Sequence, residues 1–101
     1  MTACSTLSAA QAITGPGLAR VVETRIAQVD RHGHTPDRDD ATGAAVLANR
    51  AQRDLIAALD QLMGRPDRLD PRSREALKSR LARCAALCVA AVDVLEREDQ
   101  A

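Results

Sequence analysis

Two long segments of helical apolar periodicity meet at a short polar link, Gly64-Arg65-Pro66-Asp67-Arg68-Leu69-Asp70-Pro71. Gly64 suits the end of the first segment. Asp70 suits the N-cap of the second, with Pro71 at its first position, where a backbone N–H would have no helical partner anyway. Long helices joined by so short a link must lie side by side and antiparallel. The link therefore predicts an all-α helical hairpin over residues 44–98, against which the rest of the chain packs.

The arms carry the periodicity this requires. In Ala44–Met63, Ala48, Ala51, Leu55, Ala58 and Leu62 alternate by three and four, and Leu59 widens the stripe. In the second arm, Pro71 to about Glu98, Leu77, Leu81, Cys84, Cys88, Ala91 and Leu95 form a heptad-like seam. From Cys84 to Leu95 only Asp93 is charged, so that stretch needs cover on several sides. Upstream, Leu18, Val22, Ile26 and Val29 share one face of a helix over Leu18–Asp30. Ser5–Ile13 reads as a short helix, broken by Thr14-Gly15-Pro16-Gly17, and residues 1–17 as an N-terminal arm. His32–Gly43 reads as a polar connector whose Asp39, Asp40 or Thr42 caps the next helix. The 101 residues make one domain.

The chain has no Phe, Tyr or Trp. A core of Leu, Val, Ile and Ala buries little area per residue. A homo-oligomer follows as an expectation, with Leu81, Cys84, Cys88, Ala91 and Leu95 at its interface. Formal net charge is zero, so no global field steers the chain to duplex DNA or a membrane, and no apolar run is long enough to span a bilayer. The odd set Cys4, Cys84 and Cys88 does not suggest a disulfide framework. No basic start followed by an apolar core marks a signal peptide. A cytoplasmic location is the expectation.

Three clusters invite a chemical reading. His32, His34, Asp37, Asp39 and Asp40 crowd the connector; imidazole and carboxylate suit divalent cations, but the spacing matches no established site. A solvated, helix-capping loop is the simpler reading. Arg65, Arg68, Arg72, Arg74, Lys78, Arg80 and Arg83 form a basic shoulder around a helix start, where an anion is favoured, although Asp67, Asp70 and Glu75 balance part of it. Arg outnumbers Lys thirteen to one throughout, so arginine here reflects general usage before it reflects a site. Cys84 and Cys88 share one helical face among Ala and Leu, where free cysteine packs as a small hydrophobe. No nucleophile elbow, P-loop, dinucleotide fingerprint or zinc-protease motif is present. No catalytic residue, metal or cofactor is assigned.

Arg25-x-x-Gln28, then Gly33-His34-Thr35-Pro36-Asp37-Arg38-Asp39-Asp40, resembles a motif of small phage and prophage proteins: Arg, three residues later Gln, then Gly-Trp-Thr-Pro-Glu-His-Asp-Asp before a Leu/Ala-rich helix. His34 stands where that family has an aromatic, and Asp37-Arg38 stands for Glu-His. The resemblance covers under a fifth of the chain and implies a mobile-element origin. Asp70-Pro71-Arg72, Leu81, Val89 and Ala91-Val92 are also similar to the second arm of the helical-hairpin sponges with which phages sequester cyclic-nucleotide signals. Those oligomers hold phosphates with basic and hydroxyl side chains. Only Arg72 matches by position, and the aromatics that stack on bases are absent.

These readings converge on a non-enzymatic accessory protein that binds and blocks or modulates a host protein or complex. Its expected surface is the basic shoulder Arg65–Arg83 with the acidic connector residues Asp37, Asp39 and Asp40. The rivals are a nucleotide sponge using Arg72, Arg74, Lys78 and Arg80, and a metal-dependent nucleotide hydrolase built on His34–Asp40.

Overall fold

The computed structural model describes residues 15–64 and 69–101. The expected Ser5–Ile13 helix and the shoulder residues Arg65 and Arg68 lie outside the described residues. The fold is all-α: α1 Pro16–His32, α2 Pro36–Thr42, α3 Ala44–Gly64 and α4 Pro71–Gln100.

The caps follow local chemistry. Pro16 opens α1 behind Gly15. Gly33 closes it at φ +68°, and the amides of Gly33 and His34 both return to the Gln28 carbonyl. A left-handed position of this kind costs glycine nothing and any side chain something. Asp70 caps α4 as expected, its Oδ1 accepting from the Ser73 amide at 2.7 Å, with Pro71 in the first turn.

The connector differs from expectation. It is largely helix α2, capped by the Thr35 hydroxyl, which accepts from the Arg38 amide, and started by Pro36. Pro36 keeps Thr35 extended, as the residue before a proline should be, and that is the backbone an N-cap needs. Asp39, Asp40 and Thr42 all fall inside α2, so none caps α3; Gly43 lies between the two helices.

At 30 residues α4 is the spine. It makes the principal contacts of α3 and α1 and also touches α2, whereas α1 and α3 barely meet. The core is Leu47 and Ala51 from α3 with Leu87, Ala90, Ala91 and Val94 from α4, bordered by Ala44 and Cys84. The chain spreads over 46 × 42 × 23 Å with a radius of gyration of 16.0 Å. A compact globule of this length would have about 13 Å.

The three long helices are turned from the faces their apolar stripes predicted, α3 only in part, since its expected Ala51 and Ala58 are buried. In α4 the buried line is Leu77, Ala82, Ala86, Leu87, Ala90, Ala91 and Val94. Of the expected seam, Leu77 and Ala91 are buried and Cys84 is half-buried, while Leu81 (37 %), Cys88 and Leu95 (51 %) are exposed. The offset is about one residue, or 100° of helix. Two helices must dock on α4, and the alanine-rich side admits both backbones closely; the larger side chains are left outward. In α3, Leu47, Ala51 and Ala58 are buried, and Leu55, Leu59 and Leu62 are exposed. In α1, Leu18, Val22 and Ile26 are exposed, and the buried residue is Gln28.

Candidate functional site

The turn of α1 has a definite cause. Asp39 is 1 % exposed, and its Oδ2 accepts from Arg25 Nη2 at 2.8 Å. Arg25 Nη1 also reaches Gln28 Oε1 at 3.4 Å. A buried carboxylate is tolerable only when paired, so α1 presents Arg25 and Gln28 inward and leaves its apolar stripe outward. Asp40, about 100° further round this short helix, accepts from Arg97 Nε of α4 at 2.9 Å. Successive aspartates thus tie α2 to α1 and to α4. Arg38 secures the turn, donating from Nη1 to the His32 carbonyl at 3.1 Å.

Each of Arg25, Gln28, Gly33, Thr35, Pro36, Asp39 and Asp40 therefore has a structural task. Arg25 and Asp39 form the buried pair, Gln28 receives the chain reversal, Gly33 makes it, Thr35 and Pro36 start α2, and Asp40 holds α4. Asp39, expected on a partner-facing connector, is sealed inside, and Asp40 is engaged; Asp37 alone of the three is exposed without a bonded cation among the described residues. The connector's imidazoles and carboxylates do not converge on a metal position: no group of three or more potential ligands comes together among the described residues.

Beside this clamp lies a cleft of about 460 Å³ between the C-terminal end of α1, the polar flank of α3 and the middle of α4. Its lining is mostly cationic or polar: Arg50, Arg53, Arg83, His32, His34 and Gln28, with Asp54 and the apolar Leu87. Arg83 grips Asp54 in a fork, Nε to Oδ2 at 2.9 Å and Nη2 to Oδ1 at 2.8 Å. That fork raises the Arg83 pKa, against the opposing effect of burial. Arg50 and Arg53 bond no carboxylate among the described residues. His34 Nδ1 stands 3.7 Å from Asp39 Oδ1, too far for a hydrogen bond, and that oxygen has no hydrogen-bond partner. Burial, helped by Arg38, Arg50 and Arg25, holds the His34 pKa below its ordinary value in spite of the Asp39 charge.

Among the described residues the members of the basic shoulder have different surroundings. Lys78 pairs with Glu75 at 3.2 Å, and Arg20 of α1 reaches the same carboxylate at 3.2 Å. These two bonds hold the Glu75 pKa down. Arg80 donates to Gln61 at 3.1 Å. Arg83 faces the cleft. Arg72 and Arg74 are exposed at the start of α4, bonded to no acid among the described residues. The structure thus splits the predicted shoulder, and it adds Arg50 and Arg53. Their sequence signal was two arginines three apart on the polar side of α3, a pattern shared with any solvated helix. What distinguishes them is Arg83, brought opposite by the hairpin.

The second surface is apolar. Leu55, Leu59 and Leu62 of α3 and Leu81, Cys88, Val92 and Leu95 of α4 are exposed. On each helix these residues occupy the flank opposite the one that lines the cleft, so helical geometry places them together on the back of the hairpin. Cys84 and Cys88 are both free thiols: Cys88 lies within this surface and the half-buried Cys84 beside it, where burial raises the Cys84 pKa. Among the described residues no helix is long and apolar enough to cross a membrane.

The class these features define is an all-α helical hairpin with two further helices docked on its long arm. No family model, curated protein or solved structure matches the chain.

Proposed function

We propose that this protein is a non-enzymatic, phage-type accessory protein that self-associates through the back of its hairpin and acts by binding a host protein or complex. The observation that carries the reading is the exposed flank of Leu55, Leu59, Leu62, Leu81, Val92 and Leu95. Apolar side chains of this size on neighbouring flanks of two helices are characteristic of interaction surfaces, not of monomer exteriors. A second copy fits it best. The side chains at Leu81, Ala85, Cys88, Val92 and Leu95 recur by four and three along α4, the spacing with which helices pack against their own kind. Self-association also completes a core that the absence of aromatics leaves thin. The exposed Arg72 and Arg74 lie at the start of α4, beyond the apolar stripe, where they remain available to a host component; the motif's likeness to phage proteins supports such a role.

Native mass spectrometry and light scattering of the full chain test this. The wild type is expected to be a dimer or larger, and Val92→Lys with Leu95→Lys to be monomeric with unchanged helicity, since both sites are more than half exposed in the single chain. A wild type that stays monomeric at tens of micromolar would overturn the self-association.

A further inference from the structure

The geometry points to a binding site for a small phosphate-bearing molecule in the cleft formed by α1, α3 and α4, with Arg50, Arg53 and the free edge of Arg83 as its anion-binding groups. The site takes Arg83 from the predicted shoulder but not Arg72 or Arg74 at the start of α4, and it lies on the side of the hairpin away from the association face.

Charge is the first argument. Three guanidiniums face one carboxylate in this cleft, and that carboxylate, Asp54, is already occupied by Arg83. With His34 held toward its neutral form, the lining still carries an excess of two positive charges from its arginines. Cations gathered in a concavity with low-dielectric walls concentrate field there, and an anion carrying two negative charges is the complement.

Donor geometry is the second. Arg83 uses Nε and one hydrogen of Nη2 on Asp54. A guanidinium has five N–H donors, so both hydrogens of Nη1 and the other of Nη2 remain. The Asp54 fork fixes the plane in which they point. Arg50 and Arg53 stand one turn apart on α3, and each brings a fork able to grip two phosphate oxygens. Gln28, 6 % exposed, lines the same cleft; its Oε1 is engaged by Arg25, and its Nε2 donates to no protein group among the described residues.

Shape is the third. A volume of about 460 Å³ lies within the range of small-molecule sites, and Leu87 gives the cleft an apolar patch on which a sugar or base can rest. The buried Arg25–Asp39 pair fixes the turn that carries His32 and His34, so one wall is set before any ligand arrives.

Heteronuclear NMR titration of the full chain at low ionic strength, near neutral pH, tests the site with inorganic phosphate, AMP and adenosine. Phosphate and AMP are expected to shift the Nε–Hε signals of Arg50 and Arg53 saturably, and adenosine not to. Charge-assisted hydrogen bonds are the stronger kind, so R50Q/R53Q is expected to weaken AMP at least about tenfold. Both residues are exposed, so the circular dichroism should not change. Absence of saturable shifts at tens of millimolar phosphate and AMP would overturn the site, as would equal AMP affinity in R50Q/R53Q. A single-stranded oligonucleotide binding more than about a hundredfold tighter than AMP would replace the small-ligand assignment with a nucleic-acid one.

Discussion

Replacing Arg25 by Met strands a carboxylate inside the protein. Asp39 is 1 % exposed, the Arg25 side chain is 18 % exposed, and their contact is 2.8 Å. The other Asp39 oxygen has no hydrogen bond to fall back on, since His34 is 3.7 Å away. Removing one member of a buried pair costs about 3–5 kcal/mol. Arg25 is not fully sealed, so the lower end, about 3 kcal/mol, is the expectation. Domains of this size have about 5–15 kcal/mol in all, and each kcal/mol moves the thermal midpoint by roughly 4–8 °C. R25M should therefore melt at least about 12 °C below the wild type. The assay is urea and thermal unfolding followed by helical circular dichroism, at one fixed protein concentration because association contributes to the midpoint. R25M/D39N supplies the control. It leaves a neutral amide of nearly the same shape where R25M leaves a charge, and a neutral group costs less to bury unpaired. The double variant should be more stable than R25M, although it has lost more. A cost below about 1 kcal/mol for R25M, the scale of an exposed ion pair, would refute the claim that this pair sets the turn of α1. A double variant no more stable than R25M would refute it equally.

Leu47→Ala should cost about 2–5 kcal/mol, because Leu47 is wholly buried in the α3–α4 core, whereas Ile56→Ala on the exposed side of α3 should cost much less; equal losses in urea titrations would show the core misplaced. The Asp70 pKa is lowered, first by the Ser73 amide. Its cap therefore contributes stability that is complete above the ordinary carboxylate value and lost as pH falls through the lowered one. Asp70→Asn keeps a capping oxygen that does not titrate, so the acid side of the stability–pH curve should be shallower in that variant, and an unchanged slope would remove Asp70 as a source of acid sensitivity.

Much of the architecture was legible because it depends on near neighbours. Asp70-Pro71 starts α4 and Gly64 ends α3, since capping and the missing proline donor act within one turn. The helix in the connector is hidden from the sequence for a related reason. Its polar composition suggested a loop, yet Thr35-Pro36 is also a helix start, and seven residues are too few for apolar periodicity to reveal a helix.

Which face of each helix turns inward could be decided only by tertiary structure. Periodicity locates an apolar stripe, but burial goes to the side on which several backbones can approach at once. In α4 that side is the line of Ala82, Ala86, Ala90 and Ala91, which leaves Leu81 and Leu95 outside. In α1 it is the side that carries Arg25 to Asp39, because a buried charge requires its partner more than Leu18, Val22 and Ile26 require cover. The cleft shows the same division. Arg50 and Arg53 on one helix are an ordinary polar flank, and Arg83 lies thirty residues beyond Arg53. Only the antiparallel closure of α3 on α4, locked by the Asp54–Arg83 fork, brings their charges to one place.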